Sequence, residues 1–192
     1  MSAKLRVKAQ VLDPEGIQRA LGRMAHEILE HHGDPDRIAL IGIRSRGDQL
    51  AARLAQQIQK IGEMGTRTVK MGVLDITLYR DDLQLQAANP VIHATEVPFD
   101  VTGLSIIVVD DVLFTGRTIR AAMDALADLG RPRLIELAVL VDRGHRELPI
   151  KANYVGKNVP TMREDVVRVK LTESDGTDEV LIEERVANAL DT

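Results

Sequence analysis

Apolar residues recur every three or four positions in three segments of the chain, which is the spacing of one face of an α-helix. The first segment follows Asp13 and Pro14, a pair typical of the start of a helix. Its apolar positions are Ile17, Ala20, Leu21, Met24, Ala25, Ile28 and Leu29. The same spacing predicts a second helix over residues 50–61, ending near Gly62, and a third over residues 118–129.

Short apolar runs lie between these helices and predict strands. Residues 37–43, 106–109 and 134–142 are largely apolar, as expected of strands that are covered on both faces. Residues 68–78 alternate between apolar and polar positions, which indicates one more strand. Strands that alternate with helices predict a parallel α/β sheet with right-handed crossovers.

The remaining segments predict a loop and a pair of strands. Residues 80–103 are polar and contain Pro90 and Pro98, so we expect a flexible loop or hairpin there. Loops of this length in a compact domain are often functional lids. Residues 166–171 and 179–184 resemble paired strands, because the segment between them contains Asp-Gly, a turn signal. No internal repeat, low-complexity tract or linker divides the chain, which predicts a single domain.

The composition narrows the class of protein. With 192 residues, 44% hydrophobic and 28% charged, the chain fits a soluble globular domain with one sizeable core. It contains no apolar run long enough for a membrane span and no apolar N-terminal segment typical of a secretory signal. The absence of cysteine excludes disulfides, thiolate catalysis and cysteine-bound metal, and favours the cytoplasm. A net charge of −4 argues against nucleic-acid binding over the whole surface.

Polar clusters follow four of the predicted strands. They are RSRG after Ile43, YRDD after Leu78, DDVLFTGRT after Val109 and DRGHR after Val141. Ligands of open α/β sheets bind outside the carboxyl ends of the strands. We therefore expect these clusters to converge at one edge of the sheet and to form the functional site.

The third cluster indicates a ligand that combines a phosphate with a diol. Thr115, Gly116, Arg117 and Thr118 lie where a strand turns into a helix, and a helix N-terminus favours an anion. Asp110 and Asp111 would repel a phosphate, but they are suited to accept hydrogen bonds from sugar hydroxyls or to face Mg²⁺. These features fit a ribose 5-phosphate.

The alternative for the two acids is a turn with a helix cap, or an acidic pocket of the receiver type, which we would expect nearer the first strand. Neither alternative explains the apolar run, both acids and TGRT in one order. The sequence contains neither a Walker A motif nor a GxGxxG fingerprint, which disfavours NTPases and dinucleotide-binding proteins.

VVDDVLFTGRT resembles the phosphoribosyl pyrophosphate (PRPP) motif of type I phosphoribosyltransferases. IGIRSRG, DITLYRDDL and GRPRLIELAVLVDRGHRELPIKANYVGKNVPT extend the resemblance to the family of bifunctional pyrimidine operon regulators and uracil phosphoribosyltransferases, from about Val11 to Thr161. The resemblance implies the type I phosphoribosyltransferase fold, with a central, mostly parallel sheet flanked by helices. It also implies a flexible loop at residues 80–103, and a small hood with the base-recognition region and C-terminal strands at residues 150–184.

The resemblance also implies roles for individual residues. Asp110 and Asp111 match the acids that hold the ribose hydroxyls, and the motif residues implied to contact PRPP are Val109, Asp110, Asp111, Val112, Leu113, Phe114, Thr115, Gly116, Arg117 and Thr118. Ser45, Arg46 and Gly47 match the pyrophosphate loop, in which the family often has a cis peptide that does not involve proline.

Further matching residues surround this motif. Arg80 matches the mobile loop that closes over pyrophosphate. Arg143 and His145 lie at a strand end, where they are expected to neutralise the charge of the leaving group. Asn158 and Val159 match the uracil site, where backbone groups would contact the edge of the base.

The implied reaction transfers ribosyl phosphate from PRPP to N1 of uracil and yields UMP and pyrophosphate. Mg²⁺ is the implied cofactor, held by Asp110 and Asp111 largely through PRPP and water. The transition state should resemble an oxocarbenium ion, so positioning of the leaving pyrophosphate is the main task, with Asp110, Asp111, Arg46 and Arg80 as the catalytic residues. No general base is assigned, because Asp111 fits a base and a ribose ligand equally well.

An RNA-binding surface is the second implication. Arg19, Arg23 and His26 share the helix face opposite the apolar stripe, and Arg146, with Lys151 and Lys157, would extend a basic patch. The pattern alone favours a solvated face. The resemblance instead implies binding of pyrimidine leader mRNA, promoted by UMP or UTP, in a homodimer or homotetramer. Two residues on this helix weaken that case: Gly22, in the middle of the helix, costs about 1 kcal/mol relative to alanine, and Gln18 adds no charge.

Two other functions remain open. One is a phosphoribosyltransferase for another base without RNA binding, and the other is an RNA-binding nucleotide sensor without turnover. The sequence does not decide between transcription attenuation and translational control. His31 and His32 are expected to be solvated and not to bind metal, because no third ligand accompanies them in the sequence.

Overall fold

The computed structural model describes residues 4–62, 68–79 and 95–186. Its helices are α1 (Pro14–His32), α2 (Gly47–Ile61), α3 (Arg117–Leu129) and α4 (Thr172–Asp175). Its strands are β1 (Lys4–Leu12), β2 (Ile38–Ile43), β3 (Lys70–Leu74), β4 (Ser105–Leu113), β5 (Leu134–Asp142), β6 (Tyr154–Asn158), β7 (Val166–Lys170) and β8 (Glu179–Val186). Short 3-10 helices cover Pro35–Arg37 and Thr77–Tyr79.

A five-stranded parallel sheet forms the centre of the fold, in the order β3-β2-β4-β5-β6. The predicted parallel α/β sheet is confirmed, and so are the three predicted helices. The side chain of Asp13 caps α1 by accepting a hydrogen bond of 2.7 Å from the amide of Gly16. The strand predicted over residues 68–78 is shorter than expected, because the chain turns into a 3-10 helix at Thr77–Tyr79.

Two apolar cores cover the two faces of this sheet. One contains the buried faces of α1 and α2 together with residues such as Leu40, Ile107 and Leu140. The other contains the buried face of α3. Within the described residues, no helix combines the length and the apolar character needed to cross a membrane.

A second sheet, which is antiparallel, has the order β1-β8-β7. The pairing of β7 with β8 was predicted, but their connection contains α4, which ends at Gly176 with a φ of +74°. The sequence analysis missed β1 and did not assign β6 as a strand. Most of the predicted loop at residues 80–103 lies outside the described residues, while Glu96 forms an antiparallel bridge with Val73.

Candidate active site

We had predicted that the acid pair follows a strand, but both acids lie within the strand. β4 continues to Leu113, so Asp110 and Asp111 belong to its ladder, and Asp110 is buried. The amide of Asp111 donates to Asp110 Oδ1 over 3.0 Å, and the amide of Val112 donates to Asp111 Oδ1 over 2.8 Å. The strand therefore holds both carboxylates in place through the main chain.

The charge of Asp111 is influenced by burial and by a nearby arginine. Burial raises the pKa of Asp111, while the hydrogen bond from the Val112 amide and the positive charge of Arg46 act in the opposite direction. A further cation near Asp111 would stabilise the ionised form of this carboxylate, because a nearby positive charge lowers the pKa of a carboxyl group.

The first turn of α2 packs directly against β4, next to the acid pair. A Cβ atom at Gly47 would lie 2.3 Å from the Val109 carbonyl oxygen, so only glycine fits this close approach of two backbones. The Arg44–Ser45 peptide is cis, as the resemblance implied. The predicted pyrophosphate loop, Ser45–Gly47, therefore lies beside the acids, at the N-terminus of a helix of 15 residues.

A cavity of about 390 Å³ opens at this loop. It is lined by Arg44, Ser45, Asp48, Gln49, Asp75 and Thr77. Helix N-termini stabilise anions through unpaired N–H groups and the helix dipole. Arg80, which was assigned to the mobile loop, lies outside the described residues, so its predicted role remains a prediction.

A second cavity, of about 360 Å³, lies at the N-terminus of α3. It is lined by Glu147 and by the motif residues Val112, Leu113, Phe114, Thr115, Gly116, Arg117, Thr118 and Ile119. Gly116 precedes the helix with a φ of +95°, a conformation that favours glycine. The predicted phosphate cradle is thus a concave site at a helix N-terminus.

Glu147 at the rim of this cavity was not anticipated from the sequence. Arg117 Nε donates to it over 2.9 Å, and Arg163 also pairs with it. The hydrogen bonds from these two arginines lower the pKa of Glu147. The acid is therefore neutralised by two arginines, and it holds Arg117 in place at the start of α3.

A third cavity, of about 520 Å³, lies between the ends of β5 and β6. It is lined by Asp142, Arg143, Gly144, His145, Arg146, Asn158, Val159, Pro160 and Thr161. The amide of Val159 donates to the Asp142 carbonyl over 2.8 Å, so this N–H is not available to a base. Asn158 is exposed, and Val159 is buried. The two predicted base-binding residues therefore line a concave site at the same sheet edge.

Arg143 and His145 contact the segment after β6, and their predicted role beside the leaving group remains a prediction. Arg143 donates to Thr161 Oγ1 over 3.2 Å and to the Met162 carbonyl over 2.8 Å. His145 Nε2 lies 2.7 Å from the carbonyl of Thr161. Burial lowers the pKa of Arg143. These side chains support the wall of the third cavity, because their polar groups are directed into residues 161–163.

Phe114 connects this wall to the motif of β4. The guanidinium carbon of Arg143 lies 4.1 Å from the centre of its ring, and the ring of His145 meets it edge to face at 6.1 Å. Such contacts orient an aromatic ring. Phe114 therefore belongs to both the phosphate side and the base side of the site.

The comparisons with known proteins agree with this geometry. A sequence model of the phosphoribosyl transferase domain matches residues 8–174. The Bifunctional protein PyrR of Pelotomaculum thermopropionicum is 58% identical over 177 residues, which are 92% of this chain and 96% of that protein. The chain belongs to the PyrR family of phosphoribosyltransferases. The Bifunctional protein PyrR of Deinococcus radiodurans is also 58% identical, over 171 residues that cover 89% of this chain and 92% of that protein.

Solved structures support the fold of this PyrR family member. The hypoxanthine phosphoribosyltransferase of Trypanosoma cruzi superposes with a TM-score of 0.70 at 15% identity, covering 92% of this chain and 91% of the other. That of Staphylococcus aureus gives a TM-score of 0.67 at 18% identity and covers 94% and 93% of the two chains. The type I phosphoribosyltransferase fold is therefore confirmed.

Arg46 of this PyrR family member pairs with an acid that the sequence analysis missed. Its guanidinium contacts Asp175 of α4, with Nη2 2.9 Å from Oδ1. A second arginine, Arg53 of α2, donates to Asp178 and Glu173 over 2.7 and 2.8 Å. Two arginines on α2 and its preceding loop thus attach the connection between β7 and β8 to the site.

Arg146, which we predicted to extend the basic patch, is half-buried and makes several contacts inside the protein. Its guanidinium donates to the carbonyls of Phe114, Gly144 and Ile150 over 2.9–3.1 Å, and it pairs with Asp142. The donors of the side chain are used inside the protein, where they hold the loop that carries Phe114. With its side chain 22% exposed, Arg146 keeps some surface accessible, and its assignment to the RNA surface remains a prediction.

The three predicted residues on α1 share one exposed face, as expected. Arg19 is 70% exposed at its side chain and lies 3.2 Å from Glu15. Arg23 donates to Glu27 over 2.8 Å and to the carbonyl of Gly156 over 2.6 Å. His26 is exposed. Acids interrupt the basic face, and Arg23 attaches α1 to β6.

The two histidines at the end of α1 differ from the prediction. The side chain of His32 is only 5% exposed and contacts Glu136 of β5. His31 is exposed, but it too approaches Glu136. Glu136 is therefore a third potential metal ligand beside the two histidines, although it is distant from them in the sequence.

Proposed function

We propose that this chain is a Mg²⁺-dependent uracil phosphoribosyltransferase that also binds pyrimidine leader mRNA in response to uridine nucleotides. The observation that carries the enzymatic half is the position of the acid pair between two helix N-termini at one edge of the sheet. An acid pair between two helix N-termini suits a substrate that has a diol between a phosphate and a pyrophosphate. PRPP is such a substrate.

Three groups of residues would hold PRPP. The N-terminus of α3, with Thr115 and Thr118, binds the 5-phosphate through N–H and hydroxyl groups. Asp110 and Asp111 accept hydrogen bonds from the ribose hydroxyls. The loop Ser45–Gly47 binds the pyrophosphate, where Arg46 supplies a positive charge. Each group is matched to one chemical part of the substrate.

The donor set also fits Mg²⁺, because two carboxylates and the oxygens of PRPP provide the hard ligands that this ion prefers. The raised pKa of Asp111 is consistent with a site that gains from a cation. When bound, Mg²⁺ neutralises charge on the departing pyrophosphate. Asp110 and Asp111 would hold the ion largely through PRPP and water.

The residues around the ribose would act by electrostatic positioning. As the bond to pyrophosphate breaks, positive charge develops on the sugar and negative charge on the leaving group. The carboxylates face the first charge and Arg46 faces the second. Uracil N1 is acidic for an amide, so the site needs no strong base, and Asp111 is retained as a ribose ligand.

The base would lie in the cavity between the ends of β5 and β6. Val159 and Pro160 offer apolar surface there, while polar groups of Asn158 and Thr161 offer hydrogen bonds. This combination of apolar walls with a few polar groups is typical of sites for small planar ligands.

The test measures the release of pyrophosphate by the purified chain with PRPP and Mg²⁺, using uracil or hypoxanthine as the acceptor. We expect turnover with uracil and at least about tenfold lower kcat/KM with hypoxanthine, and loss of turnover when Mg²⁺ is chelated. Turnover with hypoxanthine alone would replace the proposal with a purine phosphoribosyltransferase. Absence of turnover with both bases would support a nucleotide sensor.

The RNA half rests on the exposed face of α1, in which Arg19 and His26 point to solvent. Arg23 already contacts β6, so we assign it to supporting the face. A gel shift with pyrimidine leader RNA, with and without UMP, tests this half. The double substitution Arg19→Gln with His26→Gln should weaken binding at least about tenfold. Arg131→Gln is the matched control, because that exposed arginine follows α3 on the other face of the sheet.

A further inference from the structure

A cluster of two histidines and a glutamate lies far from the active site. His31 and His32 are the last residues of α1, and Glu136 belongs to β5. The ligand atoms of these three side chains lie within 4.8 Å of one another. Glu136 pairs in register with Ile107, near the beginning of β4, whereas the active site lies at the other end of these strands. At the rise of a β-strand, Glu136 lies about 20 Å from Asp142 along β5.

Glu136 is a buried carboxylate on the sheet face that α1 covers. It is 8% exposed and shares its face with Ala138 and Leu140 of the apolar core. A charged carboxylate is costly to bury unless it is paired or binds a metal. His32 Nε2 lies 2.7 Å from Glu136 Oε2, and His31 Nε2 lies 3.3 Å from Glu136 Oε1. Each carboxylate oxygen therefore faces the Nε2 atom of a different histidine.

The spacing of these atoms suits a tetrahedral metal ion. Zinc binds histidine nitrogen and carboxylate oxygen at about 2.0–2.2 Å, so neighbouring ligand atoms in a tetrahedron are about 3.3 Å apart. The contact from His31 already has this length. The contact from His32 would open by about 0.6 Å on the same geometry. Two histidines and one carboxylate provide three of the four ligands of a tetrahedral ion. The fourth position faces solvent, because the side chain of His31 is 61% exposed.

Tyr154 provides the supporting contact that such a site needs. Its hydroxyl donates to Glu136 Oε2 over 2.9 Å and lies 3.4 Å from His32 Nε2. Groups that hydrogen-bond to metal ligands fix the orientation of those ligands.

We propose that His31, His32 and Glu136 form a binding site for a divalent metal of the zinc class that fastens the end of α1 to β5. The ion takes Nε2 of each histidine and the Glu136 carboxylate, and a water completes the tetrahedron. Each histidine would bind as the neutral imidazole with its proton on Nδ1, because a metal-bound imidazole nitrogen must be deprotonated. This site is separate from the acid pair, whose donor set contains no nitrogen and fits Mg²⁺.

The test uses the full-length chain without a polyhistidine tag, treated with chelator and titrated with Zn²⁺ by calorimetry in the presence of Mg²⁺. We expect one Zn²⁺ per chain. At a free concentration about a hundredfold above Kd, Tm should rise by about 5 °C or more. X-ray absorption at the zinc edge should report two imidazole nitrogens. No saturable binding, or a zinc environment without imidazole, would overturn the proposal.

His31→Ala is the decisive variant, because this side chain is exposed and its loss leaves the contacts among His32, Glu136 and Tyr154 in place. It should bind Zn²⁺ at least about tenfold more weakly while the metal-free Tm stays unchanged. His26→Ala, an exposed histidine on the same helix, is the matched control and should bind as the parent does. His93→Ala serves the same purpose for a histidine outside the described residues. Equal affinity in His31→Ala and the parent would refute the site.

Discussion

Arg46 and Asp175 form an ion pair between the pyrophosphate loop and α4, with Nη2 2.9 Å from Oδ1 and Nε 3.3 Å from Oδ2. Asp175 also accepts hydrogen bonds from the Leu171 amide and from Ser174. The hydrogen bond from the Arg46 guanidinium, and after it the one from the Leu171 amide, lowers the pKa of Asp175 to about 2. The carboxylate is therefore charged at neutral pH, and it occupies the arginine that pyrophosphate would use.

Asp175→Asn should lower the KM for PRPP about twofold to fivefold, because a partly exposed ion pair contributes up to about 1 kcal/mol. The value of kcat should change little, since the substitution frees Arg46 without altering it. Steady-state kinetics with varied PRPP checks this outcome. Glu173→Gln is the matched control, as it removes a neighbouring acid that pairs with Arg53 instead. An unchanged KM in Asp175→Asn would show that the pair does not compete with substrate.

Arg53→Gln should destabilise the protein by about 2 kcal/mol at pH 7 and lower Tm by about 4–8 °C. Arg53 links α2 to Glu173 and Asp178, and its hydrogen bond lowers the pKa of Asp178 to about 2. A carboxyl whose pKa is lowered by folding stabilises the folded state above its unfolded pKa, near 4.

The difference in Tm between Arg53→Gln and the parent should therefore be constant above about pH 4 and shrink as the pH falls from about 4 to 2. Thermal unfolding across this range measures it. Lys60→Gln, at the other end of the same helix, should lower Tm little at any pH. A difference that persists undiminished at pH 2 would contradict the link between Arg53 and Asp178.

Asp110→Asn combined with Asp111→Asn should reduce kcat/KM for transfer by more than about 100-fold, because the ribose hydroxyls and the cation lose their ligands. The fold should survive. Burial raises the pKa of Asp111, so the charged form destabilises the folded state once the pH exceeds the unfolded pKa.

The single variant Asp111→Asn should consequently have an equal or higher Tm than the parent at pH 7. Circular dichroism and thermal unfolding check the fold, and pyrophosphate release checks activity. Asp128→Asn, at an exposed position of α3, is the control for removing an acid elsewhere. Activity retained in the double variant would refute the assignment of the acids to ribose.

Arg146→Gln should lower Tm by about 3–10 °C, since a guanidinium that satisfies several buried carbonyls is lost. The KM values for both PRPP and the base should rise, because the loop with Phe114 loses its support. The RNA affinity of the folded protein should stay unchanged, so that any loss of binding equals the loss of folded protein. Arg163→Gln is the control, because its side chain is 61% exposed and contacts Glu147 alone among the described partners. A selective loss of RNA binding in Arg146→Gln would assign this residue to the RNA surface.

The sequence predicted the central sheet and the edge at which the site lies, because hydrophobic periodicity and strand-end motifs are local signals. β1 was missed because Leu5 and Val7 alternate with charged residues yet remain exposed, so the strand depends on pairing with β8. Contacts between side chains that are distant in the sequence were missed for the same reason, because they depend on how separate elements pack together.

Arg146 is the clearest case, since an arginine in a polar cluster has the same local pattern whether it faces solvent or binds carbonyls. The packing of the loop after β5 against the end of β4 and the loop that follows it decides between these positions. The contact of His32 with Glu136 likewise joins residues that are 104 positions apart. Glu136 for His32 and the Phe114 carbonyl for Arg146 come from other elements of the fold, so no spacing within one segment indicates these two contacts.

Gly47 meets the Val109 carbonyl without any intervening side chain. The distance between the loop before α2 and the main chain of β4 is therefore fixed by two backbones in contact, and no rotamer change alters that distance. We therefore expect the main chain to set the length of the diphosphate ester that the proposed site accepts. Substitutions of the surrounding side chains should change the affinity and leave this length the same.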